Sequence, residues 1–270
     1  MEKKLANYHT HTYRCNHAQG AEEDYVCRAI EAGYAVLGFS DHTPWPVPHP
    51  DSPRVRMSLD QLDGYVHGVR QAASRHADEI RVLVGLECEY DAKRVNWLRE
   101  CVEAYRLDYL ILGHHADYDT PGGTYFYACK TPDGVLEYAE QATRAMETGL
   151  FAYLAHPDIV MHVYPAFDDA CRRAAERLCR VSVETGVPLE YNLLGVRRHA
   201  QDWGNGFLGY PCEGFWRIAA EIGCKAILGM DAHTPEQLLD THMFDEARAH
   251  LNQMGIEVLP RLPGPEEKKI

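Results

Sequence analysis

The chain has 270 residues, 46% of them hydrophobic, with 27 Lys and Arg against 40 Asp and Glu, a formal net charge of −13. That length can bury the large core of one α/β barrel. The acidic excess excludes a nucleic-acid surface, which needs clustered Lys and Arg, and no apolar run reaches the roughly 20 residues of a membrane-spanning helix.

Taken in order, residues 5–8 form a short apolar start that runs into His9-Thr-His11. Side chains alternate along a strand, so His9 and His11 project to one side and can grip a single metal ion. His17 follows in a loop. A helix is expected over 21–32, closed by Gly33, then a strand over 35–40 ending at Asp41-His42. Residues 43–53 are proline-rich and irregular, and with the residues up to 57 they suit a lid or substrate loop. Ser58 and Gln61 have the spacing of a capping box.

A strand over 81–86 delivers Glu87. A helix over 92–105 leads to a strand over 108–113 and then His114-His115, of which alternation lets one face the same side as the other strand-end groups. After a loop over 117–132 and a helix over 135–148, residues 151–155 read as a strand before His156-Pro-Asp158. An amphipathic helix over 169–184 precedes a strand over 187–192 that ends Glu190-Tyr-Asn192. A helix over 211–222, a strand over 225–229, Asp231-Ala-His233 and a last helix over 235–251 complete the pattern; the tail from Pro260 is expected to fray.

These are seven repetitions of strand, polar residue and helix. The alternation implies a parallel sheet, and the number of units favours a barrel over an open sheet. In such barrels the active groups sit at the C-terminal ends of the strands, which is where His9, His11, His42, Glu87, His115, His156, Asp231 and His233 fall, with His17 in the loop after the first of them. Nine ligand-type groups exceed the four that one zinc takes. They suit two or three divalent ions, and the mixture of imidazole and carboxylate suits Zn, Fe or Mn. Clustered ions of that kind favour phosphoryl hydrolysis, so a small phosphorylated substrate is the expected partner. Of the other histidines, His49 and His162 are the two placed to reach the same mouth. The nine cysteines are an odd number with no Cys-x-x-Cys pair, and the N-terminus carries no signal-peptide core, so a reducing, cytoplasmic setting is expected. The oligomeric state stays open.

The motifs Asn-Tyr-His9-Thr-His11, Ser-Asp-His42, Gly-Leu-Glu87, Leu-Gly-His-His115, Ala-His156-Pro and Gly-Met-Asp231-Ala-His233 occur in the order seen in the polymerase-and-histidinol-phosphatase (PHP) family, and the resemblance covers about residues 5–250. It implies a distorted (β/α)7 TIM-like barrel, a single α/β domain over residues 1–270, holding a multinuclear metal cluster that hydrolyses phosphoesters. Within the family the chain is most similar to the monofunctional histidinol-phosphate phosphatases, through His156-Pro-Asp158, Glu190-Tyr-Asn192-Leu-Leu-Gly195-Val-Arg197 and Tyr210-Pro211. That likeness implies Arg197 as a phosphate ligand. It adds Asn192 and Asp158 on the substrate side, Asp158 orienting His156 or meeting a substrate amine, and Arg54 and Arg56 closing over phosphate. His115 rather than His114 is taken as the ligand. Asp231, as bridge or proton acceptor, and His233 join Arg197 in the catalytic set. The rival readings are a PHP phosphatase for a nucleotide or sugar phosphate, a non-catalytic metal-binding module that should lack part of the ligand set, and an amidohydrolase-like deacylase, for which no Lys occupies the required strand end.

Overall fold

In a computed structural model, which describes residues 5–47, 54–117, 122–201 and 206–262, short parallel strands curl around a common axis with helices outside them. The strands are β1 (Leu5–Asn7), β2 (Tyr34–Phe39), β3 (Arg81–Cys88), β4 (Tyr109–Leu112), β5 (Leu189–Asn192), β6 (Lys225–Gly229) and β7 (Glu257–Val258). They pair in two runs, β1-β2-β3-β4 and β5-β6-β7, with every pairing parallel.

The expected strand over 151–155 is reduced to a bridge. Leu154 alone pairs, but it pairs with both Leu112 and Leu189. Ladder hydrogen bonds run to it from either side, Leu112 N–H to the Tyr153 carbonyl at 3.1 Å and Glu190 N–H to the Leu154 carbonyl at 2.8 Å. Its five residues between Gly149 and His156 therefore join the two runs without forming a regular strand of their own. The other seam closes where Thr10 pairs with Ala232. The seventh strand lies instead at residues 257–258, a stretch too short to show periodicity in the sequence. The Leu262 N–H donates to the Tyr8 hydroxyl at 3.2 Å, so the chain is packed as far as Leu262.

The helices are α1 (Glu22–Glu31), α2 (Leu62–Arg75), α3 (Val95–Tyr105), α4 (Pro132–Glu147), α5 (Asp169–Thr185), α6 (Leu193–Gln201), α7 (Glu213–Ile222) and α8 (His242–Gln253). Their ends follow local chemistry. Thr131 caps α4 and Pro132 occupies its first turn, Asp168 accepts from Cys171 N–H at the start of α5, and Gly186 closes α5 with φ 70°. The Gln61 side chain accepts from Ser58 N–H ahead of α2. Two features depart from expectation: the last helix is split into a 3-10 turn, Pro235–Leu239, and α8, and α6 was not anticipated at all.

Inside the barrel, alternate residues make a floor. Tyr8, Val36, Tyr109, Ile111, Tyr153 and Ile227 form one buried cluster. Tyr109 fits because Gly38 and Gly85 leave room where a Cβ would strike its ring; its hydroxyl donates to the Tyr8 and Phe39 carbonyls. The site sits above this floor, at the C-terminal ends of the strands. The main core, with Trp216, Tyr25, Tyr65 and Phe215 fully buried, lies between strands and helices. Among the described residues no helix is long and apolar enough to cross a membrane.

Candidate metal centre

The nine expected ligand-type residues come together at one mouth. Glu87 continues the inward row of β3, two residues beyond Gly85, and stands at the centre. Its Oε2 lies 3.5 Å from His9 Nε2, 3.3 Å from His11 Nε2 and 3.0 Å from His42 Nδ1. Its Oε1 lies 2.9 Å from His156 Nε2 and 3.4 Å from His115 Nε2. One carboxylate therefore faces two groups of imidazoles. Asp231 Oδ1 stands 3.4 Å from His9 Nε2 and 3.2 Å from His11 Nε2. At a third corner His17 Nε2 and His233 Nε2 are 3.0 Å apart, and with His42 they form a further group within ligand reach.

The local chain explains these positions. Asn7, at the end of β1, holds the His9–His11 segment against the end of β6. Its amide nitrogen donates to the His9 carbonyl and Thr10 Oγ1, and its oxygen accepts from Met230 N–H at 2.8 Å. His156 and Asp231 both have positive φ, 30° and 50°, a backbone conformation that costs a non-glycine residue of order 1–3 kcal/mol and clusters at functional sites. Gly113 makes room for Glu87 and Gly229 for Glu190: a Cβ at either would overlap the neighbouring carboxylate.

Electrostatics and orphaned atoms both fit a cation. Burial works to raise the pKa of Glu87, but His42, His115 and His9 prevail and hold it well below the usual range. Asp231 is likewise held ionised, against burial, by His9 and His11. His9 and His11 are pushed up despite burial, chiefly by Asp231 and Glu190 for His9 and by Asp231 and Asp41 for His11. Burial drives His42 down, and drives His233 down to about 3, which keeps both imidazoles neutral. His9 Nε2, His11 Nε2, His42 Nδ1, Glu87 Oε2 and Asp231 Oδ1 are buried and make no hydrogen bond. A buried polar atom left so is costly, and these five converge; divalent ions would satisfy them.

The other expected residues are placed differently. His115 lines the mouth, whereas His114 turns under α4, where its Nδ1 accepts from Tyr90 N–H and its Nε2 meets Gln141; burial lowers its pKa to about 4. Arg197 does not reach the mouth. Its guanidinium is bound to Asp240 at 2.7 Å, on the far side of α6. The cleft is lined instead by Arg198, because successive residues on a helix point about 100° apart. Asp158 is buried behind the site, its Oδ2 accepting from Cys212 N–H and the Trp216 indole; burial pushes its pKa up to about 7, and neither contact is to His156. Asn192 contacts the acids from behind, donating to Glu190 at 2.9 Å and Asp231 at 3.2 Å, and does not line the cleft. Arg54 is exposed and off the cleft wall. Arg56 lines the wall, but its fork grips Glu89 and the Thr43 carbonyl. His162 packs behind the wall against Tyr127 and Tyr210. His49 and part of the proline-rich loop lie outside the described residues.

Supporting groups not singled out from the sequence complete the set. Glu190 Oε1 meets His9 Nδ1 at 2.8 Å, which fixes the tautomer that leaves Nε2 free. Glu89 stands 3.4 Å from His115 Nδ1 and also receives Trp45. Asp41 receives Thr12 through both backbone and hydroxyl. The cleft over the histidines has a volume of about 230 Å³, and Arg198, Tyr127 and Tyr210 also line it. Arg198 donates to the Tyr127 hydroxyl at 2.9 Å and the Tyr210 hydroxyl at 3.3 Å, and no carboxylate among the described residues pairs with it.

A distorted parallel barrel with bridged imidazole–carboxylate groups at its C-terminal mouth defines a metal-centred hydrolase architecture. The PHP domain model matches residues 7–193, and the chain belongs to that family. It is 28% identical over 239 residues to a probable histidinol-phosphatase of Deinococcus radiodurans, covering 87% of this chain and 88% of that protein. A probable histidinol-phosphatase of Schizosaccharomyces pombe is 25% identical over 281 residues, covering 93% and 87%. Among solved structures, the fold matches a histidinol phosphate phosphatase from Lactococcus lactis, crystallised with zinc, L-histidinol and phosphate, with a TM-score of 0.71, 20% identity and 95% of each chain covered.

Proposed function

We propose that the whole chain acts as one metal-dependent phosphomonoesterase that releases phosphate from L-histidinol phosphate in histidine biosynthesis. The observation that carries this reading is Glu87 facing two imidazole groups at once, among buried atoms that lack any other partner. His9, His11 and Asp231 on one side of Glu87, and His115 and His156 on the other, would hold a pair of ions. His17, His42 and His233 would hold a third. Zn, Fe and Mn all suit these donors, and the zinc in the Lactococcus lactis protein supports the first of them. Bound there, such ions supply Lewis acidity at phosphorus and an activated water.

The chain's own residues do the remainder. Glu190 and Asn192 hold His9 and Asp231 in place from behind. Asp231, kept ionised, is the group placed to accept the proton of the attacking water. Arg198 donates to two neutral phenols and pairs with no carboxylate among the described residues, so its charge is available to phosphate oxygens, which a guanidinium fork binds well; it takes the role first expected of Arg197. The cleft volume of about 230 Å³ is below the ~300–1,000 Å³ of sites for drug-sized ligands, and so favours a small phosphoester over a nucleotide. All nine cysteines are free thiols, a state that a cytoplasmic setting maintains.

The test is metal content and phosphate release with histidinol phosphate, sugar phosphates and nucleotides. The expected result is bound metal, histidinol phosphate ranking first by kcat/KM, and loss of activity in the His9→Ala, His11→Ala double variant. Metal-free protein, or full activity in that variant, overturns the chemistry. A sugar phosphate or nucleotide ranking first overturns the substrate alone.

A further inference from the structure

Beside Arg198 the cleft wall carries aromatic surface that phosphate chemistry does not use. Tyr125 lines the cleft yet is 47% exposed. Its backbone is fixed: Tyr125 pairs with Ala116, and the buried Phe126 beside it donates its N–H to the His115 carbonyl at 2.8 Å. The segment that carries the ring is thus tied to a candidate metal ligand. Tyr127 stands next to it, ring centroids 6.0 Å apart and tilted by 42°, and Tyr127 is the residue whose hydroxyl receives Arg198. The anion pole therefore lies at Tyr127, and Tyr125 lies one ring further along the wall, with Val55 and Ala116 on the same cleft.

A phosphomonoester whose phosphoryl group lies between the histidines and Arg198 must send its alcohol along this wall. The face of a tyrosine ring is electron-rich, and it favours a stacked planar ring or a cation. An acyclic, uncharged alcohol gains neither and sets its hydroxyls against apolar surface. We infer that Tyr125 is a specificity-determining residue that reads a planar ring on the alcohol half of the substrate. The inference rests on the phosphomonoesterase reading above and adds the class of leaving group that it selects.

The experiment uses the metal-loaded full chain and compares kcat/KM for histidinol phosphate, phenyl phosphate and glycerol 1-phosphate. The readout is the preference for each ring substrate over the acyclic one. Tyr125→Ala and Tyr125→Leu are expected to lower that preference about tenfold, through KM, as loss of one aromatic contact implies, while Tyr125→Phe keeps it. The leucine variant retains bulk, so it answers the question if the alanine variant does not fold. An unchanged preference in both, an equal loss on all three substrates, or a wild type with no ring preference overturns the inference. The broader substrate reading fails separately, if wild type prefers phenyl phosphate and leaves histidinol phosphate untouched. Release from none of the three overturns both.

Discussion

Glu190→Gln isolates what a buried carboxylate does for a metal ligand it does not replace. Glu190 is fully buried and meets three donors with two oxygens: His9 Nδ1 at 2.8 Å on Oε1, and His156 N–H at 3.1 Å with the Asn192 amide at 2.9 Å on Oε2. Glutamine has the same shape but only one accepting oxygen. If its NH2 faces His9, the imidazole must move its proton to Nε2, and the lone pair aimed at Glu87 and Asp231 is lost. If its NH2 faces the other way, it meets two donors, and the His156 N–H is orphaned at a cost of about 1–3 kcal/mol. Either arrangement loosens a candidate ligand. The expected loss is about 10–100-fold in metal affinity, or about 1.4–2.7 kcal/mol. The assay is a chelator competition with Zn(II) at fixed pH, run beside thermal melts of the metal-free forms. Unchanged affinity would refute the positioning role; a lower melting temperature with unchanged affinity would make Glu190 a structural residue only.

Gly113→Ala should abolish metal loading, because its Cβ overlaps Glu87; an atomic-absorption measurement matching wild type counts against Glu87 as the shared ligand. Arg198→Ala should raise KM for the phosphoester at least tenfold, as expected for a lost charged hydrogen bond of about 1.5–3 kcal/mol, whereas Arg197→Ala, which breaks a part-exposed pair with Asp240, should leave KM within about twofold. The reverse ranking restores Arg197 as the phosphate ligand. Metal affinity should rise with pH: His9 and His11 hold protons to higher pH than ordinary imidazoles, a bound ion must displace those protons, and each proton displaced adds about tenfold per pH unit below the raised values. Zinc titrations at pH 6, 7 and 8 giving one constant would contradict this. Metal removal should lower the melting temperature, since the ion stabilises only the folded site; an unaltered melt after chelation would show that the orphaned atoms find other partners.

The histidine and acid pairs were legible because a strand has a strict period and a barrel concentrates chemistry at one rim. His9 with His11, and Asp231 with His233, carry that signal in three residues each. Residues 151–155 were legible as a strand by composition, but one paired residue does the joining, and no local pattern distinguishes a bridge from a ladder. Arg197 and Arg198 show the sharper limit. The motif points to Arg197 alone, but which arginine faces the cleft depends on the phase of α6, in which Leu193 enters the core and Leu194 lines the cleft with Arg198. Glu190 carried a usable signal, an acid in the middle of an apolar strand. The strand-end rule misses it because it points one or two residues later, at Asn192. The resemblance puts Asn192 and Asp158 on the substrate side, whereas burial commits both to partners within the fold.

The site is assembled against local preference, and this bears on what it is for. Two residues have left-handed backbone, at His156 and Asp231. Two glycines stand where any other residue would displace a carboxylate. Five buried polar atoms point at one another without hydrogen bonds. A purely structural cluster of this composition would have settled into histidine–carboxylate hydrogen bonds, as His9 does with Glu190 and His156 does with Glu87. Of the remaining atoms, His9 and His11 Nε2 keep separations of 3.2–3.5 Å to Glu87 and Asp231, and His42 Nδ1 stands 3.0 Å from Glu87. Donors about 2.0–2.2 Å from a common zinc stand about this far from one another. The spacing is that of ligands around an ion, and the strain and the orphaned atoms are the costs that binding the ion would offset.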